Sequence, residues 1–173
     1  MCLECDGYSH EEAMQALDLQ IRVHGWTLVQ VADGPDAWCY TIGLLENYGH
    51  PELVLFDVDT EVQHRLMTSL VRLVTDYGKL PPGDLADARL SVGEVHADHL
   101  QGDLFGRWIE YYDDFPEPGD MLHVRLPAQA YCECHGSTAR RLDLPGPLQP
   151  LRPGPAPLNR AERRRRGQRG NAA

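Results

Sequence analysis

Apolar residues recur at helical spacing near the start of the chain, and polar residues separate them. Ser9 and Glu12 precede this stretch at the spacing of a capping box, which satisfies free amides at a helix start. Gly25 follows it and can adopt the left-handed conformation that ends a helix. The pattern predicts a helix over 9–24. Its apolar face comprises Ala13, Met14, Leu17 and Ile21.

The pattern then changes to that of strands. Segments 26–32 and 37–43 are rich in β-forming residues and flank the turn sequence Asp-Gly-Pro-Asp at 33–36. This arrangement predicts an antiparallel hairpin. The run 53–58 is apolar throughout most of its length, which is typical of a central strand covered on both faces.

A second long helix is predicted from Thr60. Thr60 and Gln63 have the spacing of another capping box, and apolar residues follow at helical spacing as far as Tyr77. Gly78 and the prolines beyond it end this helix.

Shorter elements complete the pattern. Strands are predicted over 89–96, 121–126 and 130–134, and a short amphipathic helix over 104–112. The sequence His-Ala-Asp-His at 96–99 is expected to be a solvated loop. We therefore expect an α+β fold, with a mixed, mainly antiparallel sheet of about five or six strands and two long helices packed on one face.

Composition divides the chain into a body and a tail. The 173 residues are 42% hydrophobic and 24% charged, as in ordinary globular proteins. From Pro145 onward there are seven arginines and one acid, and the net charge of −10 then leaves −16 on the first 144 residues. We expect a single α+β domain over 1–144, a proline-rich linker over 145–158 and a basic disordered tail over 159–173.

Charge and hydropathy restrict the partners. The acidic body repels phosphate backbones, so nucleic acid is expected to bind only through the basic tail, if at all. The tail is expected to rest on its own acidic body. No apolar run approaches the ~20 residues of a membrane helix, and a cytoplasmic location is expected. The remaining expected partner is an unknown small molecule or protein.

The segments Tyr-Thr-Ile-Gly-Leu at 40–44 and Gly-His-Pro-Glu-Leu at 49–53 resemble a bacterial and phage family known as domain of unknown function 4262. The opening Cys-x-x-Cys at 2–5 and the sequence His-Gly-Trp at 24–26 are similar too. The resemblance implies a fold but no activity. Family members usually have a small apolar residue where this chain has Cys39, and many end in a tryptophan-rich strand that is missing here.

The His50-Pro51-Glu52 corner is the main candidate site. Proline restricts the backbone, so we expect His50 and Glu52 to be displayed outward at the rim of the sheet. A non-enzymatic binding or regulatory domain is the preferred interpretation, with this corner in its ligand or partner surface. The alternative is a small hydrolase- or transferase-type enzyme, with His50 as acid–base and Glu52 as the group that orients it. In either case the adjacent pocket is expected to include Tyr40, Thr41, Trp108 and Tyr112.

The cysteines suggest two further sites. Cys2, Cys5, Cys132 and Cys134 could supply the four thiolates of a structural zinc site, with His135 as a further ligand. Zinc is accordingly the one cofactor that the sequence suggests, and free thiols are the alternative. Cys39 could act as a nucleophile with His50, but strand alternation gives it the same face as Thr41, where an inert core thiol is the commoner outcome.

Overall fold

The computed structural model of the protein describes residues 7–31, 37–56, 58–80, 83–85, 90–101, 103–126 and 142–146. The helices are α1 (His10–His24), α2 (Leu44–Tyr48), α3 (Thr60–Tyr77) and α4 (Gly106–Tyr112). The strands are β1 (Thr27–Val31), β2 (Trp38–Ile42), β3 (Glu52–Phe56), β4 (Gly83–Leu85), β5 (Leu90–Glu94) and β6 (Met121–Arg125). Two 3-10 turns span Ala97–His99 and Asp103–Phe105.

The strands form one six-stranded sheet in the order β1-β2-β3-β6-β5-β4. β1 and β2 are the predicted hairpin, with Thr27 opposite Ile42 and Val31 opposite Trp38. Only β3 and β6 run parallel among the described strands, and the other neighbours are antiparallel. The predicted α+β fold with a mixed, mainly antiparallel sheet is confirmed.

Strands β2 and β3 are buried on both faces, and for β3 this is what the apolar run at 53–58 predicted. Alternate residues of β2 and β3 belong to two different core clusters. One cluster, which includes Leu53, Leu55 and Cys39, packs against α3. The other, which includes Val54 and Phe56, packs against α1 and α4.

The two long helices, α1 and α3, therefore lie on opposite faces of the sheet. The prediction that both pack on one face is wrong in this detail. The physical reason is that both faces of β2 and β3 are apolar. A helix on one face alone would leave the other face exposed to water. The fold class could be predicted from the pattern of elements. The placement of the helices depends on which faces of the strands are apolar and must be buried.

The ends of α1 match the sequence signals. The Ser9 hydroxyl accepts from the Glu12 amide, and the Glu12 carboxylate accepts from the Ser9 amide at 2.8 Å. Gly25 follows in the left-handed conformation, with φ 79°. The Tyr48 hydroxyl occupies the space that a Cβ at Gly25 would need.

The start of α3 differs from its prediction. Asp59, not Thr60, caps the helix and accepts from the Glu61 amide at 2.9 Å. Gln63 is fully buried and donates instead to the carbonyl oxygens of Ala37 and Val58. The capping-box prediction is wrong because these buried carbonyl groups, which only the tertiary fold brings near, take the Gln63 amide.

The other predicted elements within the described residues lie close to their predicted positions. The short helix α2 and the short strand β4 were not predicted. The expected solvated loop at 96–99 contains a 3-10 turn, and His99 is buried with Nε2 at 2.8 Å from the Leu144 carbonyl oxygen. The predicted strand 130–134, and the predicted linker and tail beyond Gly146, lie outside the described residues. No helix in the described part of the chain has the length and apolar character needed to cross a bilayer.

Candidate functional site

Glu52 begins the central strand β3 and has its carboxylate buried. Its Oε1 accepts hydrogen bonds from the amides of Gly43 at 2.8 Å and Leu45 at 3.1 Å. Its Oε2 accepts from the Thr41 hydroxyl at 2.6 Å. The Tyr112 hydroxyl, from α4, donates to Oε1 over 3.4 Å. These four donors offset the cost of removing the carboxylate from water.

Burial nevertheless dominates the electrostatics of this group. It raises the pKa of Glu52 to about 7, although the hydrogen bonds from Thr41, Leu45, Gly43 and Tyr112 favour the charged form. Burial and the nearby Glu52 carboxylate also raise the pKa of Tyr112 above its usual range. The carboxyl group therefore changes charge near neutral pH.

His50 is buried too, and main-chain groups occupy both of its ring nitrogens. The Leu80 amide donates to Nε2 at 3.0 Å, and Nδ1 lies 2.5 Å from the Pro51 carbonyl oxygen. The hydrogen bonds assign the ring proton to Nδ1, because Nε2 is an acceptor. Burial lowers the pKa of His50, which favours the neutral ring.

The prediction that the corner displays both groups outward is therefore wrong. His50 and Glu52 are each 0% exposed. His50 joins the start of β3 to the chain after α3, and Glu52 joins β3 to β2, α2 and α4. No hydrogen bond connects the two side chains within the described structure, so Glu52 does not orient the His50 ring.

The predicted pocket residues divide into two groups. Thr41 and Tyr112 contact the Glu52 carboxylate, as described above. Tyr40 and Trp108 are core residues: the Tyr40 hydroxyl accepts from the Arg107 amide at 3.1 Å, and burial raises the pKa of Tyr40 to about 12. The rings of Trp108 and Tyr112 lie 4.6 Å apart between centroids. Of the four predicted pocket residues, only Thr41 and Tyr112 therefore contact the Glu52 side chain, which is 0% exposed.

The cysteine predictions have different outcomes. Cys39 is 0% exposed, and burial raises the pKa of its thiol to about 12, which opposes the nucleophile alternative. Cys2, Cys5, Cys132, Cys134 and His135 lie outside the described residues. Among the side chains that the structure does describe, no group of three or more His, Cys, Asp or Glu could hold a metal ion.

A groove that was not predicted from the sequence lies at the edge of the sheet. It is open to solvent on one side and has a volume of about 700 Å³ between the end of α1, the strand β1 and one face of α3. Trp26 and Tyr48 contribute aromatic surface, and Thr68, Arg72 and His64 contribute polar groups from α3. The polar lining residues that come from α3 are spaced three or four positions apart in the sequence. This spacing is common on exposed helix faces, so it did not indicate a binding site.

The hydrogen bonds that Glu52 accepts help to position one side of this groove. Glu52 binds the amides at the start of α2, and Asn47 near the end of α2 donates to the Gly25 carbonyl oxygen at 3.0 Å. The Tyr48 hydroxyl donates to the His24 carbonyl oxygen at 3.2 Å. The buried corner thus holds α2, and α2 places Tyr48 at the groove.

Fold and site together define a small α+β domain with a mixed sheet, a buried polar corner and an open groove at the edge strand. The profile of the family described as "Domain of unknown function (DUF4262)" matches residues 20–129. The chain belongs to this family. The match covers Glu52, His50 and every described residue that lines the groove. Comparison with curated proteins finds no match, and comparison with solved structures finds none either.

Proposed function

We propose that this chain is a non-enzymatic binding domain whose small-molecule ligand lies in the groove between α1, β1 and α3. The observation that carries this proposal is the groove itself, with about 700 Å³ of open volume. Ligand sites for small molecules typically enclose roughly 300–1,000 Å³ and combine apolar surface with a few polar groups. Trp26 and Tyr48 supply flat apolar surface for a planar ring, and hydroxyl, imidazole and guanidinium groups supply hydrogen bonds.

The chemistry of the corner supports binding over catalysis. A general acid–base group must reach the reacting atoms of a substrate. Both ring nitrogens of His50 are already occupied by main-chain groups, and Glu52 is enclosed by four donors. In the proposed function these two residues are positioning residues, because they hold α2 and through it the Tyr48 wall of the groove.

The test is a titration of the ¹⁵N-labelled full chain with a fragment library of small aromatic carboxamides and the matching carboxylates, followed by amide chemical shifts. We expect shifts to concentrate on the groove, at Trp26, Thr68 and Thr75. Thr68→Trp fills the groove and is expected to abolish these shifts. Ser69→Trp, at the neighbouring exposed position on α3, is the matched control and is expected to retain them. A library without groove binders, or binders that Thr68→Trp leaves unaffected, would overturn the proposed function.

A further inference from the structure

Arg72, on the groove face of α3, differs from the other arginines of the described structure. Arg22, Arg107 and Arg125 have carboxylate oxygens at 2.9, 2.8 and 3.0 Å, and Arg65 has one at 3.9 Å. No ion pair involves Arg72 within the described ranges, although Asp76 lies one turn further along the same helix. An arginine without an acidic partner is notable in a chain that carries 26 acids and a net charge of −10.

The described residues that line the groove beside Arg72 include no carboxylate, because none of them is Asp or Glu. The polar groups that accompany Arg72 include the imidazoles of His24 and His64 and the hydroxyl of Thr68, all of which can donate hydrogen bonds. The donor groups and one fixed positive charge favour an anion locally inside the cleft, although the net negative charge of the molecule opposes its approach.

We propose that the ligand of the groove is a planar compound that carries an oxyanion, a carboxylate or a phosphate, bound by Arg72. This assignment depends on the proposed function, because it names the class of ligand for the same groove. The guanidinium group forms paired hydrogen bonds with carboxylate and phosphate oxygens, and its charge is permanent. The planar part of the ligand would lie against Trp26 and Tyr48.

The test compares each aromatic carboxamide that binds with the carboxylate of the same ring, and with phenyl phosphate. Removing the charge alters one interaction and keeps the shape, so we expect the carboxylate to bind at least about tenfold more tightly than the carboxamide. Tighter binding of phenyl phosphate than of benzoate would identify phosphate as the anion, and the reverse order would identify carboxylate.

Arg72→Gln is expected to abolish the preference for the anion, so that the carboxylate and the carboxamide bind the variant with similar affinity. Arg65→Gln, two turns earlier on α3 and paired with Glu61, is the matched control and should retain the preference. Equal binding of carboxamide and carboxylate, or a preference that survives Arg72→Gln, would overturn the anion assignment and leave the proposed function standing. Failure of both compounds to bind in the groove would overturn both.

Discussion

At the residue scale, Glu52 and His50 show how a polar corner can be part of the core. Each side chain is fully buried, and each is matched to the hydrogen-bonding groups around it. Glu52 takes amide and hydroxyl donors, which are the partners of an acceptor, and His50 takes one donor and one acceptor. The result is two polar links that join the ends of strands and helices without a surface role for either side chain.

The raised pKa of Glu52 predicts how stability depends on pH. Its folded-state pKa of about 7 exceeds the ordinary 4.5, so the folded protein holds the proton more tightly than the unfolded chain. The contribution is fully present below pH 4.5 and is lost as pH rises through about 7. In Glu52→Gln this loss is absent. We expect the free energy of unfolding of the wild type, minus that of the variant, to fall by up to about 3 kcal/mol between pH 5 and pH 8.

Urea unfolding of both proteins at several pH values measures this difference. His50 acts in the opposite direction, because its pKa is lowered and its contribution is lost as pH falls. The difference between wild type and variant removes this effect, since both proteins retain His50. Glu117→Gln, on the exposed turn before β6, is the control. Stability curves of wild type and Glu52→Gln that stay parallel across the range would contradict the assignment.

At the scale of elements, the short helix α2 connects the buried corner to the groove. Five residues cannot form a stable helix alone, so tertiary contacts must hold it. Glu52 binds its first amides, and Gly43 precedes it with φ 105°. A Cβ at Gly43 would lie 2.7 Å from the Gly25 carbonyl oxygen and 3.1 Å from Trp26 Cα. The end of α1 and the start of α2 therefore approach each other closely at a point where only glycine fits.

This geometry predicts different costs for two glycine substitutions. Gly43→Ala must displace main-chain atoms and strain φ, so we expect the free energy of unfolding to fall by about 3 kcal/mol or more. Gly49→Ala, after α2, has φ 58° but nothing within 4 Å of its Cβ, and should cost only about 1–2 kcal/mol. Chemical denaturation measures both values. Equal costs would show that the close approach at Gly43 does not constrain the fold.

At the scale of the whole molecule, the sheet separates two hydrophobic cores, one on each of its faces. The family match ends at residue 129, but the second core continues beyond it. Leu142 is 0% exposed and belongs to the cluster that contains Tyr40 and Phe56. Its carbonyl oxygen accepts from the His96 amide at 2.7 Å. The segment 142–146 is therefore part of the folded domain.

Two leucines of this segment test its role. Leu142→Ala creates a cavity in the core, and we expect it to lower the free energy of unfolding by about 2–5 kcal/mol. Leu144→Ala, whose side chain is 50% exposed, should change it by no more than about 0.5 kcal/mol. The comparison is made by thermal or urea unfolding of the full chain. A small cost for Leu142→Ala would exclude the segment from the cooperative fold.

Local signals predicted most of the elements correctly. The capping box at Ser9, the left-handed Gly25 and the alternation along β2 depend on neighbours in sequence, and all three appear in the structure. Gln63 shows that spacing in the sequence does not always predict the hydrogen-bond partners of a side chain. Its spacing from Thr60 is that of a capping box, but its partners are the carbonyl oxygens of Ala37 and Val58 and an amide group from Gln30.

The amino-acid sequence by itself determined the α+β class, the hairpin and the central strand, because spacing and turn residues act over a few positions. Only the tertiary structure decided that the His-Pro-Glu corner faces inward, that the long helices lie on opposite faces and that a groove opens beside β1. Each of these depends on groups far apart in the chain, such as Leu80 at His50 and Tyr112 at Glu52. Burial of a polar side chain is favourable only where such partners meet it, and their meeting is a property of the fold.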